Sequence, residues 1–175
     1  MNEIDFDATP EGMYYEPRQD GFALTASTRS CAPFVMIPFT LIWGGLSVGF
    51  IYGKQLIHWK FDAESSLYGL PFLLITLVLI WGIVYSMYGE IRITIADNRV
   101  EIFNGVGTWG TTRRFNLDQI TSVEERYTGG DTVNYEIVLS GQKNISFGGA
   151  LTLAQRQFTA DVFRKLIAKG QVSET

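Results

Sequence analysis

Two uncharged stretches decide the fold: residues 31–53, CAPFVMIPFTLIWGGLSVGFIYG, and residues 65–89, SSLYGLPFLLITLVLIWGIVYSMYG. Neither contains an Asp, Glu, Lys, Arg or His residue, and neither shows the polar stripe of a helix buried in a soluble domain. At about 1.5 Å of rise per residue, helices of this length reach or exceed the roughly 30 Å hydrocarbon core of a bilayer. The sequence therefore predicts a transmembrane hairpin over residues 31–89, with helices at about 31–53 and 65–89.

Small residues recur along both predicted spans. Gly45, Gly49 and Gly53 follow one another every four residues, and Gly82 and Ser86 offer a similar surface on the second span. Small side chains let helix backbones approach closely in lipid. These five residues are predicted to pack helices together, either within the hairpin or between two copies of the chain.

The distribution of charge excludes several functional classes. The formal charge of −4 comes entirely from residues 1–30, and no segment has the basic excess of a nucleic-acid binder. With one cysteine, Cys31, and one histidine, His58, most metal sites cannot be built. We therefore expect no nucleic-acid partner, no metal and no cofactor. The first thirty residues also lack the basic and apolar regions of a cleaved signal peptide.

The C-terminal region, residues 90–170, is predicted to be a β-rich domain closed by a helix, with residues 171–175 as a tail. Apolar and polar residues alternate from residue 91, and Asp97-Asn98 is a turn-prone pair. Six strands are expected, around residues 90–95, 99–103, 111–117, 122–127, 133–139 and 145–147. The closing helix has a capping box at Thr152 and Gln155, and Gly170 is expected to end it. Its predicted apolar stripe consists of Ala154, Phe158, Val162 and Leu166.

The acidic segment 1–30 contains two further short β patterns, at residues 13–16 and 22–26. Both ends of a two-span chain lie on one side of the membrane. These strands could therefore form a hairpin that extends the C-terminal sheet, and a disordered acidic tail is the alternative.

A resemblance supports this layout. The segments GEIRITIADNRVEIFNGVG, RRFNLDQITSV and YEIVLSGQKNISFGGAL, followed by the final helix, are similar to the PH-like domains of small bacterial membrane proteins with two transmembrane helices. The spacing Φ-x-L-x-x-I-x-x-V is matched by Phe115, Leu117, Ile120 and Val123. The resemblance implies a membrane α+β protein: a two-helix hairpin plus an antiparallel PH-like β-domain closed by a C-terminal helix. Such families are mostly uncharacterised.

Orientation is predicted from basic residues near the spans. Four arginines flank the hairpin on the side of the termini: Arg18, Arg29, Arg92 and Arg99. The link between the spans carries two lysines, Lys54 and Lys60. By the positive-inside rule, both termini are predicted to be cytoplasmic, in the bacterial inner membrane that the resemblance implies.

No catalytic constellation emerges, and we expect no enzyme activity. Residues 105–110, GVGTWG, match G-x-G-x-x-G, but a dinucleotide site requires a helix to begin there, whereas a further strand is predicted. A glycine-rich hairpin turn is the better interpretation. His58 lies across the predicted membrane from the β-domain, so a Ser-His-Asp triad is excluded under this topology.

Arg113 and Arg114 follow the glycine-rich loop, and arginine suits phosphate geometrically. On a domain held at the bilayer they could contact anionic headgroups, although consecutive strand residues point to opposite faces. An ordinary charged sheet surface is the alternative. The expected function is a membrane-anchored PH-like module for protein-protein interaction or scaffolding, with the bilayer and a protein partner or second copy as partners. A lipid-responsive regulatory domain is the first alternative and a membrane enzyme the second.

Overall fold

The computed structural model describes residues 6, 8–59, 62–128 and 134–172. The chain divides into two compact units. One comprises Met1–Thr28 together with Glu90–Thr175, and the other is Arg29–Gly89. The unit Arg29–Gly89 is therefore inserted into the chain of the β-rich unit.

Arg29–Gly89 is helical. Helix α1 spans Ala32–Val48 and continues through a π-helical turn, Gly49–Gly53, into the short α2, Lys54–His58. Helix α3 spans Ala63–Tyr88. Two helical segments, Ala32–Gly53 and Ala63–Tyr88, are long and apolar enough to cross a membrane. Only 11% and 6% of their most apolar windows are buried, which distinguishes them from core helices of a soluble protein.

The β-rich unit contains a five-stranded antiparallel sheet in the order β1-β2-β3-β4-β5. Its strands are β1 (Met13–Arg18), β2 (Gly21–Ser27), β3 (Gly89–Ala96), β4 (Arg99–Val106) and β5 (Trp109–Asn116). The hairpin of β1 and β2 extends the C-terminal sheet, since β2 pairs with β3 from Gly21↔Ala96 to Ser27↔Glu90. Asp97-Asn98 forms the turn between β3 and β4, as predicted, with Asp97 at φ +50°.

A second, three-stranded sheet has the order β6-β7-β8, with β6 (Ile120–Thr128), β7 (Asn134–Gly141) and β8 (Ile145–Phe147). A 3-10 turn, Leu117–Gln119, joins it to β5. Helix α4, Leu153–Val172, follows the last strand. The inner faces of the two sheets and α4 share one apolar core, which includes Leu24, Ile93, Val100, Ile137 and Phe163. This architecture agrees with the predicted antiparallel sheet and closing helix.

Several sequence-based boundaries differ from the structure. The third predicted strand begins earlier, at Trp109, and ends at Asn116, because Leu117 turns into the 3-10 segment. Gly170 does not end α4, which runs on to Val172. Ala154 is exposed, although the apolar stripe predicted it to be buried. The capping box is confirmed, since Gln155 N donates to Thr152 Oγ1 and Thr152 N donates to Gln155 Oε1. Val133 lies outside the described residues.

Candidate interaction surfaces

The β4–β5 hairpin extends beyond the core. On β4, Val100 and Ile102 are buried on the inner face, but the next residue on that face is the exposed Asn104. All six residues from Trp109 to Arg114 on β5 are exposed, on both faces of the strand. The far half of this hairpin therefore stands in solvent. We call residues 103–114 the projecting hairpin.

The glycine-rich loop forms the tip of the projecting hairpin. Val106 pairs with Trp109, which leaves Gly107-Thr108 as a two-residue turn with Gly107 at φ +59°. Positive φ is a conformation that glycine adopts without steric cost. The segment after the loop is a strand, as predicted, so G-x-G-x-x-G here lacks the helix N-terminus that would hold a pyrophosphate.

Close packing supports the hairpin beneath its tip. Gly105 pairs with Gly110, and the ring of Phe103 lies across both. A Cβ on Gly105 would stand 2.9 Å from Phe103 Cζ, and a Cβ on Gly110 would stand 2.8 Å from Phe103 Cε2. An aromatic ring covering glycines on a neighbouring strand compensates for their missing side chains. The tip is therefore held in shape although it lies outside the core.

Trp109 is the most exposed aromatic residue of the β-rich unit among the described residues, with 75% of its surface accessible. It shares one face of β5 with Thr111 and Arg113, because alternate strand residues point the same way. Tryptophan and arginine are both enriched among the energetically dominant residues of protein interfaces. This face combines apolar area with positive charge.

Arg113 forms a hydrogen bond within the chain, on the face that it shares with Trp109. Its Nη1 donates to the carbonyl oxygen of Ser146 on β8, at 2.5 Å. The residue therefore joins the five-stranded sheet to the three-stranded one. Since a carbonyl is neutral, the positive charge of Arg113 is not cancelled by this contact.

Arg114 lies on the opposite face and is paired with Glu101. Its Nε donates to Oε2 at 2.9 Å and its Nη2 to Oε1 at 3.3 Å. The hydrogen bond and the negative charge of Glu101 raise the pKa of the Arg114 guanidinium above its ordinary value. The β4–β5 register is regular through both arginines, so Arg113 and Arg114 diverge, as strand geometry requires. A single headgroup cannot contact both.

A cleft of about 620 Å³ lies beside this ion pair. Its charged lining consists of Arg99, Glu101 and Arg114, and its amide lining of Asn116 and Gln119. The local charge is +1, because Glu101 cancels one of the two arginines. No group of three or more His, Cys, Asp or Glu residues able to hold a metal occurs in the described part of the chain.

Helix packing in the hairpin involves different glycines from most of those predicted. A Cβ on Gly45, Gly49 or Gly53 would have no described neighbour within 4 Å, so the expected packing of these three within the hairpin is wrong. Gly44 faces α3 instead, where a Cβ would stand 2.8 Å from Thr76 Cγ2. The contact of Gly45, Gly49 and Gly53 with a second copy stays a prediction.

Gly82 and Ser86, the two small residues of α3 that were predicted to pack, both lie close to another part of the chain. Gly82 faces α1, and Ser86 lies beside the residues just before α1. A Cβ on Gly82 would stand 3.0 Å from Met36 Cε. The backbone carbonyl of Ser86 accepts a hydrogen bond from Ser30 N at 3.3 Å. Gly69, which the sequence analysis did not select, is also tightly packed, because a Cβ there would stand 2.7 Å from Ile51 Cγ2.

Comparison with profiles of known protein families finds no match, and comparison with curated proteins finds no similar sequence.

The projecting hairpin was not predicted from the sequence as a unit. Its signal was present, because the alternation of Val100 and Ile102 continues with Asn104, which is a poor core residue. On β5 the only large apolar residue before Phe115 is Trp109. A strand pair that loses its apolar face midway is expected to leave the core.

Proposed function

We propose that this chain is a membrane-anchored PH-like module that binds a protein partner through the projecting hairpin, at the cytoplasmic face of a bacterial inner membrane. The observation that carries the proposal is the exposure of Trp109, at 75%, on a hairpin held rigid by Phe103, Gly105 and Gly110. A large aromatic side chain on a preorganised strand pair loses little conformational entropy on binding. Tryptophan is among the residues that most often dominate the binding energy of protein interfaces.

Membrane anchoring is supported by the two apolar helices and their low burial. The pairing of β2 with β3 supports a shared side for the two ends of the hairpin, since Ser27 lies opposite Glu90 just before and just after the helical unit. Two spans inserted between neighbouring strands must leave and return at one membrane face. The arginines near these ends favour the cytoplasm for that face.

A PH-like fold is supported by the layout of two antiparallel sheets and a C-terminal helix. An enzymatic role is not favoured by any cluster of catalytic groups in the described residues. Lipid binding through Arg113 and Arg114 is the second candidate, and it is weakened by geometry. Arg114 is neutralised by Glu101, and Arg113 reaches Ser146 from the opposite face.

The proposal is tested with a photo-crosslinking amino acid at position 109 of the full chain in its native membrane. We expect a discrete crosslinked protein band, which the same probe at position 14 does not give. Tyr14 is a matched control because it is 68% exposed on β1, at the opposite edge of the sheet. Bands of equal intensity from both positions, or none from position 109, would overturn the proposal. Crosslinks from position 109 to phospholipid alone would favour the lipid candidate.

A further inference from the structure

Strand β5 is the last strand of the five-stranded sheet, so within that sheet it has β4 on one side and an open edge on the other. The exposure of Gly110 shows that this edge is accessible, because the surface of a glycine is the surface of its backbone. Gly105, the partner of Gly110 on β4, is buried. The backbone of β5 is therefore open to solvent at a level where the backbone of β4 is covered.

The hydrogen-bond pattern shows which backbone groups of β5 point outward. Leu117 N donates to the carbonyl oxygen of Asn98 at 2.7 Å, and bonded pairs alternate with non-bonded pairs along an antiparallel ladder. Along the regular register from this pair, Arg113 and Thr111 are residues that bond to β4. The N–H and C=O groups that point toward the open edge are those of Gly110, Thr112 and Arg114.

The β5 edge lacks the devices that protect other strand edges of this chain. Natural sheets block their edges with proline, with bulges or with very short strands. Strand β1, at the opposite end of the sheet, contains Pro17, and β8 has only three residues. Strand β5 has eight residues, contains no proline and keeps a regular register with β4 throughout. It is therefore well suited to pair with an added strand.

The charge of β5 determines what kind of strand is complementary to it. The strand carries Arg113 and Arg114 and no acidic residue. Glu101 compensates only Arg114, and Arg113 donates to a neutral carbonyl group. A second copy paired edge to edge would bring four arginines together against two glutamates, and such like-charge contacts are disfavoured. An acidic strand complements this edge.

We infer that a partner protein adds an extended acidic segment to the open edge of β5. Trp109, Thr111 and Arg113 occupy the positions that do not bond outward, where side chains of neighbouring strands approach most closely. An apolar residue of the segment lies beside Trp109, and an acidic residue four positions away lies beside Arg113. The Arg113 guanidinium has five N–H donors, so its bond to Ser146 leaves donors for a carboxylate. This inference rests on the proposed function and specifies how the projecting hairpin holds its partner.

The experiment uses an aromatic photo-crosslinking amino acid at position 109 of the full chain in its native membrane, combined with two substitutions at position 112. Thr112→Pro and Thr112→Ala both remove the threonine side chain, but only the first removes the outward N–H. Proline is tolerated at such a position of an edge strand, and the extended residue before it is compatible with proline. We expect the crosslinked band of Thr112→Pro to be about tenfold weaker than that of Thr112→Ala. Equal bands would overturn strand addition.

Two competitor peptides test the charge of the segment on the chain without substitutions at position 112. The first is a nine-residue threonine peptide with valine at its centre and glutamate at both ends, and the second has lysine in place of glutamate. In permeabilised membranes we expect an excess of the glutamate peptide to reduce the band and the lysine peptide to leave it unchanged. Equal effects of the two peptides would overturn the acidic assignment. A band at twice the mass of the chain would place a second copy on the edge and would also overturn it.

Failure of this inference is separable from failure of the proposed function. A discrete band from position 109 that is equally strong in Thr112→Pro and Thr112→Ala would mean that the partner is held by side chains, and it would disprove strand addition alone. The absence of a band from position 109 without either substitution would disprove the proposed function and the inference together.

Discussion

Gln155 on α4 donates from Nε2 to the carbonyl oxygen of Glu11, at 2.9 Å, across 144 positions of the sequence. The same side chain completes the capping box with Thr152, and it is only 2% exposed. One amide therefore both starts the closing helix and attaches the segment before β1 to it. This contact adds to the pairing of β2 with β3 in holding the N-terminal strands to the β-rich unit.

Gln155→Ala is expected to destabilise the β-rich unit by about 1–3 kcal/mol, because it removes the hydrogen bond from Thr152 N to the Gln155 side chain and leaves the Glu11 carbonyl without its donor. The measurement is thermal unfolding of the full chain in detergent, followed by near-ultraviolet circular dichroism. Gln157→Ala is the matched control, since Gln157 is exposed on the same helix. Equal shifts in the two variants would show that Gln155 acts only through helix propensity.

A buried arginine supports the other side of α4. Arg156 is 6% exposed, donates to Glu125 Oε2 at 3.4 Å and to the carbonyl oxygen of Tyr135 at 3.0 Å, and lies 5.0 Å from the centre of the Tyr135 ring. Arg156→Ala removes both hydrogen bonds and the ring contact, and we expect a loss of about 2 kcal/mol in unfolding free energy. Arg164, 4.0 Å from the same Glu125 but 47% exposed, is the control. Arg164→Ala should change stability by about 0.5 kcal/mol or less.

Adjacent glycines on α1 should respond differently to a larger side chain. Gly44→Val places atoms against Thr76 and should cost about 1–3 kcal/mol through overpacking, whereas Gly45→Val meets open space. Thermal unfolding read by the fluorescence of Trp43 and Trp81 compares the two variants in detergent. A comparable loss in Gly45→Val, accompanied by a smaller particle in size-exclusion chromatography, would place Gly45 against a second copy.

The pKa of Asp62 is held below its ordinary value of 3.8, chiefly by the hydrogen bond from the Ser65 hydroxyl. Because its pKa is lower in the folded chain than in the unfolded chain, the carboxylate stabilises the fold at pH values above the pKa of the unfolded chain. This contribution is lost as the pH falls through the pKa of the folded chain. Ser65→Ala should therefore move the Asp62 pKa upward, measured by carboxyl ¹³C chemical shifts. Ser66→Ala is the control, because Ser66 donates to Gln55 instead. Equal pKa shifts in the two variants would contradict the assignment.

The coarse fold could be predicted because its signals are strong and local. Uncharged, mostly apolar residues over 31–53 and 65–89 predict long helices, and the alternation of Ile91, Ile93 and Ile95 predicts a half-buried strand. Asp97-Asn98 and the Thr152–Gln155 capping box are short patterns with one favoured geometry. Each depends on neighbours within about four residues.

The interaction surfaces depend on contacts distant in sequence, which patterns of this kind do not specify. Their spacing places Gly45, Gly49 and Gly53 on one surface of the helix, but it does not show whether that surface faces α3. In the structure the adjacent Gly44 faces α3 instead. In the same way, the sequence places Arg113 and Arg114 on opposite faces but does not reveal Ser146 or Glu101 as their partners. Tertiary packing determines how far a helix is rotated about its axis and which strand lies opposite a given side chain.

The neighbouring strands β2 and β3 are separated in the chain by the whole helical unit. A ribosome that has just released β2 must synthesise about sixty more residues, both long apolar helices included, before β3 emerges to pair with it. Completion of the sheet thus reports that these helices have been made. A translation product truncated within the helices would leave β1 and β2 with an uncovered apolar face, which is the kind of surface that chaperones and proteases recognise.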